Sequence, residues 1–193
     1  MIGGLDFEAE NHVYTHAGTI VPGVSSILDF MRLVPNKRFF KPFDAMRGQY
    51  VHTITELIDN GSLDRENLDP ALKGYAEAYQ KFFETESFSW ELSEQILFNE
   101  ILWYGGTLDR SGTFRDELSV IDFKSGNGSL SPAHGAQTAA YDMCLPGPNR
   151  KRWIVFLRPN GNYKVSECTD KTDYEAFKKG AWLYQWSKGK KLI

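Results

Sequence analysis

"YGGTLDRSGTFRDELSVIDFKSG", residues 104–126, reads as two strand-like runs around a polar turn. Each run ends in residues that strands usually avoid: Asp109 closes the first, and Asp122 and Lys124 sit inside the second. Residues i and i+2 of a strand share a face, so Val120, Asp122 and Lys124 project one way while Ile121 and Phe123 project the other. A turn within Ser111 to Asp116, centred near Thr113 to Arg115, folds the runs into a hairpin and brings Asp109 close to Asp122. Direct cross-strand neighbours lie about 5 Å apart at Cβ and diagonal ones about 7–8 Å. Two carboxylates at that separation repel unless a cation lies between them. An oxygen-only pair suits Mg²⁺, which keeps several waters, better than Zn²⁺, which favours His and Cys. Lys124 adds an ammonium that could hold a scissile phosphate or orient an attacking water. These parts suit phosphodiester hydrolysis. Taken alone, Asp122-x-Lys124 reads more simply as a surface ion pair worth at most about 1 kcal/mol.

The rest of the chain limits what such a site can serve. At 193 residues and 41% hydrophobic, the chain supports one well-filled core, and a single domain over 1–193 is expected. A formal charge of −3 excludes a broadly basic nucleic-acid coat but permits a local basic groove. Two cysteines, Cys144 and Cys168, cannot make a four-thiolate zinc or iron–sulfur site, so no iron–sulfur cluster is expected. The start "MIGGLDFEAENH" lacks the basic-then-apolar order of a secretion signal, and no apolar run approaches ~18 residues. A soluble protein of the cytoplasm, with no membrane partner, is the expectation.

Periodicity places the elements. Residues 12–21 suggest a hairpin with Ala17-Gly18 in its turn, and "PGVSSILDFMRL" a helix capped by Ser25 or Ser26. Asp44 can cap a helix through "AMRGQYVHTITELIDNG", with Met46, Tyr50, Ile54 and Leu57 or Ile58 on its apolar face and Gly61 as its stop. His52 lies on that helix. Asp69-Pro70 opens another, with Tyr75, Tyr79, Phe82 and Phe83 on one side as core. Phe88 to Leu102 is extended, and Gly105-Gly106 suggests a bulge or turn. "SPAHGAQTAAYDMCL" is a helix, "RWIVFLRPNGNYKVSEC" a hairpin turning at Asn160-Gly161, and a helix started at Thr172 or Asp173 closes the chain. Helices, then hairpin, helix, hairpin and helix argue for an α/β (α+β) fold with a mixed central sheet flanked by helices.

The motifs in that order carry a resemblance. Gly106-Thr107-Leu108-Asp109, Asp122-Phe123-Lys124 and Gln137-Thr138-Ala139-Ala140-Tyr141 resemble the G-x-x-D, (D/E)-x-K and Q-x-x-x-Y series of the PD-(D/E)xK nuclease superfamily. The resemblance is closest to its RecB-like, phage-type exonuclease branch, which includes the mitochondrial genome-maintenance exonuclease. It extends upstream to G-x-x-x-H at Gly48 to His52 and to a Ser-Glu pair at Ser93-Glu94, so that motifs span roughly residues 44–142. It implies a restriction-endonuclease-like fold and a Mg²⁺- or Mn²⁺-dependent DNA exonuclease of phage or bacterial recombination, repair or replication.

Residue by residue, the resemblance implies that Asp109 and Asp122 bind the metal with the Phe123 backbone carbonyl, and that Lys124 is the catalytic lysine. His52 would be an additional ligand, and Glu94 a further ligand or a partner of the ligands. Gln137 and Tyr141, four apart on one helix face, would orient the lysine region and the nucleic-acid backbone; a polar-aromatic pair at the core edge is the plain alternative. The "SPAH" helix start would favour phosphate through its free amides. Arg32, Lys37, Arg38, Lys41 and Arg47, interleaved with Phe39, Phe40 and Phe43, offer phosphate contacts and stacking surfaces, or simply a solvated basic loop. DNA is the expected partner, with a single-strand annealing or binding protein and a homo-oligomer both left open. The rival readings are a catalytically idle nucleic-acid-binding module on the same fold, which has no need of acids that repel phosphate, and an unrelated α/β domain.

Overall fold

The structure, a computed structural model, describes residues 4–8, 11–34, 42–126 and 128–193; the side chains of 42–45 also lie outside the description. A three-stranded antiparallel sheet is built from β1 (Asp6–Glu8), β2 (Val13–His16) and β3 (Thr19–Val21). Ala17 and Gly18 turn its second hairpin with positive φ, as the sequence predicts. Helix α1 (Val24–Phe30) begins after Gly23 as N-cap, so the expected capping serine is instead in the first turn. Next come α2 (Pro42–Asp59), α3 (Pro70–Thr85), β4 (Phe88–Asn99), β5 (Tyr104–Phe114), β6 (Glu117–Ser125), α4 (Pro132–Asp142), β7 (Lys151–Leu157), β8 (Tyr163–Glu167) and α5 (Thr172–Gly189).

The central sheet has the order β4-β5-β6-β7-β8. All its pairs are antiparallel except β6–β7, which runs parallel because α4 carries the chain back between them. The expected mixed α+β fold is therefore present. Two cores sandwich the sheet. On one face Val51, Ile54 and Ile58 of α2 and Tyr75, Tyr79 and Phe82 of α3 cover Phe114, Ile121, Phe123 and Val155. On the other, Val24, Ile27, Ala136, Ala140 and Phe177 of α1, α4 and α5 cover Leu97, Tyr104, Leu108 and Val120.

Several local expectations shift. Met46 and Tyr50 are 48% and 49% exposed, because the buried stripe of α2 runs through Val51, Ile54 and Ile58. Helix α3 starts as read, with Asp69 accepting from the Ala71 amide at 2.8 Å and Pro70 in its first turn; Phe83 is 37% exposed while its three companions are buried. The β4–β5 turn occupies residues 100–103, so Gly105 and Gly106 lie inside β5 rather than in a turn. A Cβ on Gly106 would stand 2.8 Å from the Tyr141 ring and 3.1 Å from Val24, which explains the missing side chain. The β5–β6 turn lies at Arg115 and Asp116, both with positive φ, later than the centre expected from sequence. Among the described residues, no helix is long and apolar enough to cross a membrane.

Candidate metal centre

The site lies where two strands part. β5 and β6 pair from Phe114–Glu117 up to Arg110–Ile121, and the ladder stops there. The next opposed positions would be Asp109 and Asp122. Instead of continuing the ladder, the Phe123 amide donates to Asp109 Oδ2 at 2.7 Å; a side-chain carboxylate takes the place of a main-chain acceptor. Side-chain alternation also slips here. Tyr104 and Leu108 face the core of α1, α4 and α5, whereas Phe114 faces that of α2 and α3, and Arg110 reaches Asp59 and Thr55 of α2. β4 shows the same disturbance: its register shifts between Trp90 and Leu92, and Glu94, opposite Asp109, has φ +46°. Such a φ is uncommon for a glutamate, and here it falls inside a strand rather than in a turn.

The gap lets groups from both sides of the sheet meet. His52 comes down from α2 with Nδ1 3.3 Å from Asp109 Oδ2 and 4.0 Å from Glu94 Oε1. His52, Glu94 and Asp109 each offer a ligand atom, all within 4.8 Å of one another, and could hold a metal ion. Asp122 stands across from them, with Oδ2 2.7 Å from the Lys124 ammonium. That buried oxygen is held by the ammonium and has no other hydrogen-bond partner among the described residues. Asp109, Asp122, Lys124, His52, Glu94, Gln137 and Tyr141 all line one cavity of about 420 Å³.

The electrostatics ask for positive charge. Burial, and then the neighbouring Asp122 charge, push the Asp109 carboxyl up to about 8. Burial and then Asp109 likewise raise Glu94. The His52 imidazole is lowered, first by burial and then by Lys124, so it stays neutral and keeps a lone pair for a ligand role. Burial alone would lower Lys124, but Asp122 and Asp109 overcome it and hold the ammonium above its ordinary range. A divalent cation would relieve both raised carboxyls at once. The donor set, imidazole nitrogen plus carboxylate oxygens, fits a divalent ion without fixing which one.

The predicted Gln137–Tyr141 face is present: Gln137 Nε2 donates to the Tyr141 hydroxyl at 3.0 Å. Burial, then Asp122, hold the Tyr141 phenol well above its ordinary range, so its O–H is kept. At the start of α4 the Ser131 amide donates to His134 Nδ1 at 3.1 Å, which satisfies part of the helix end expected to face phosphate. The Phe123 main chain is directed at this gap through its amide. Arg38 and Lys41 lie outside the described residues, as do Lys37, Phe39 and Phe40. Arg47 sits with its guanidinium 6.0 Å from the Tyr75 ring centroid and is not among the cavity-lining residues.

Sequence reasoning passed over two groups. Phe7 and Tyr14 of the small sheet, with His12 from the turn just before β2, close one side of the cavity, with Phe7 and Tyr14 stacked at 4.7 Å and the Tyr14 and Thr107 hydroxyls 3.0 Å apart. Arg110, fully buried, lies beneath the site among acids of α2 and β4. An arginine directly after the G-x-x-D aspartate, on a strand otherwise filled with small and apolar residues, was the available signal.

No protein-family model matches the chain, and no curated protein matches it by sequence. Among solved structures, the crystal structure of a "Putative exonuclease" from Eubacterium rectale is similar, with a TM-score of 0.56 at 13% identity, over 86% of this chain and 78% of that one. At that identity the likeness concerns the fold.

Proposed function

We propose that this chain is a divalent-metal-dependent deoxyribonuclease, acting as an exonuclease on DNA ends in recombination, repair or replication. One observation carries the reading: Asp109, Asp122 and Lys124, with His52 and Glu94 beside them, converge on one cavity at the parted end of β5 and β6. The fold likeness to a protein described as an exonuclease supports it.

Asp109, Asp122, Glu94, His52 and the Phe123 carbonyl would hold Mg²⁺ or Mn²⁺, which when bound lowers the pKa of a coordinated water and offsets phosphate charge. Lys124, kept as an ammonium by the two aspartates, would bind the non-bridging phosphate oxygens and stabilise the charge that grows as a water oxygen bonds to phosphorus, losing its proton to solvent, and the P–O bond to the sugar breaks, the leaving oxygen taking a proton from solvent. The Tyr141 hydroxyl accepts from Gln137 and so has its own proton to donate toward the DNA backbone. An idle binding module is disfavoured, since acids facing the cavity would repel phosphate.

The test is an assay with end-labelled single-stranded, double-stranded and circular DNA, in Mg²⁺ or Mn²⁺ against EDTA. Metal-dependent loss of linear substrates with circles spared is the expected result. Cleavage of circles would move the reading to an endonuclease, and no cleavage of any substrate would end it.

A further inference from the structure

Beneath the cavity, Arg110 makes a set of contacts that packing alone does not require. Its Nε and Nη2 reach Asp59 Oδ2 at 2.9 and 2.8 Å. Nη1 donates to Glu94 Oε1 at 2.9 Å and to the Asp109 main-chain carbonyl at 2.7 Å. Nη2 also donates to Thr55 Oγ1 at 3.2 Å, and the guanidinium lies 5.9 Å from the Phe123 ring centroid. Asp59 is fixed from its other side by the Tyr79 hydroxyl, which donates to Oδ1 at 2.5 Å. One planar fork thus joins α2, the helix that carries His52, to Glu94 on β4 and to the backbone of Asp109 on β5.

We infer that Arg110 is the positioning residue of the metal centre, setting the Glu94 carboxylate and the Asp109 main chain against His52. This rests on the metal-site reading above. The contacts fall where regular structure fails: Glu94 is held at φ +46°, and the β5–β6 ladder ends at Arg110 itself. On its β6 side Asp109 has no ladder partner, while on the β4 side only its neighbours Leu108 and Arg110 are paired, and the guanidinium holds the Asp109 carbonyl at this break. The Asp59 end fixes the fork, since a guanidinium shared by two carboxylates and a carbonyl has little rotational freedom. Outer partners of this kind typically change metal affinity about 10–100-fold when altered.

Charge and position predict opposite signs. Arg110 is a cation beside the proposed cation site, so on charge alone its loss would tighten Mn²⁺ binding. The positioning role predicts weaker binding. The experiment is calorimetric titration of MnCl₂ into the purified full chain, wild type against Arg110→Met, Arg110→Lys and Asp59→Asn, with folding checked by circular dichroism. Arg110→Lys keeps the charge but cannot serve Glu94, Asp59 and the Asp109 carbonyl together, and it guards against Arg110→Met failing to fold. About tenfold or greater weakening in Arg110→Lys, shrinking when Glu94→Gln is already present, is the expected result. Unchanged or tighter binding in folded variants, or losses that simply add to that of Glu94→Gln, would overturn the inference. Wild type that binds Mn²⁺ but leaves DNA intact would remove the nuclease reading and leave this one standing. Wild type that binds no Mn²⁺ would remove both.

Discussion

The Phe123 amide donates to Asp109 Oδ2 at 2.7 Å, immediately beyond the last paired residues of β5 and β6. That single bond fixes the carboxylate at the mouth of the gap and opens the space in which His52, from one side of the sheet, and Asp122 and Lys124, on the other, share a cavity. The chemistry of the site follows from a strand pair that stops one residue short.

Removing the lysine should expose this arrangement. Asp122 is 1% exposed with Lys124 as its ion-pair partner, so Lys124→Met leaves a buried carboxylate uncompensated, a change that costs roughly 3–5 kcal/mol in comparable settings. In EDTA the variant should melt well below wild type, with much of the loss recovered by Mg²⁺ or Mn²⁺. Cleavage should fall by about 10²-fold or more at saturating metal. Thermal melts with and without metal, beside an end-labelled DNA assay, check both parts.

A pH prediction follows from Asp109. Its folded-state pKa is raised, chiefly by burial, so the folded chain holds a proton that the unfolded chain has already released. Stability from this group is fully present below the ordinary aspartate range and is lost as pH rises toward about 8. Metal-free protein should therefore lose melting temperature over that interval. Asp109→Asn should flatten the slope, and saturating Mn²⁺ should oppose it by favouring the ionised form.

His52 should act through the metal rather than the fold. Its side chain is 30% exposed and lines the cavity, so His52→Ala should leave the melting temperature in EDTA nearly unchanged. Mn²⁺ affinity should fall at least about tenfold, measured by titration calorimetry. Equal affinity would take His52 out of the ligand set.

Gly48 lies one turn before His52 on α2, and a Cβ there would meet nothing within 4 Å. A glycine inside a helix costs about 0.5–1 kcal/mol relative to alanine, and no packing contact explains it. Gly48→Ala should raise stability by about that amount in urea unfolding. On the proposed function DNA binding should weaken at the same time, because Gly48 lies one turn from His52 on the same helix face.

Much of this was legible in the sequence because the signals were local. Period-2 alternation put Asp122 and Lys124 on one face of β6, and i,i+4 spacing put Gln137 and Tyr141 on one face of α4. The break near Glu94 and Asp109 was not legible: the register shift between Trp90 and Leu92 is set by how two strands with unequal residue counts pair, and a glutamate does not announce the positive φ it takes at 94. Arg110 was hidden for a related reason. Its partners Asp59 and Glu94 lie 51 and 16 residues away, and the buried face of a strand is expected to be apolar. On α2 the apolar positions admitted two stripes, and tertiary packing chose Val51 over Tyr50.

The most direct measurement is a crystal of the protein soaked in MnCl₂, with the ion located by its anomalous scattering. The account predicts a peak between Asp109 and Asp122, within ligand distance of carboxylate oxygens and the His52 ring, lost in Asp109→Asn. An empty gap at saturating Mn²⁺, with the Lys124 ammonium still paired to Asp122, would contradict it.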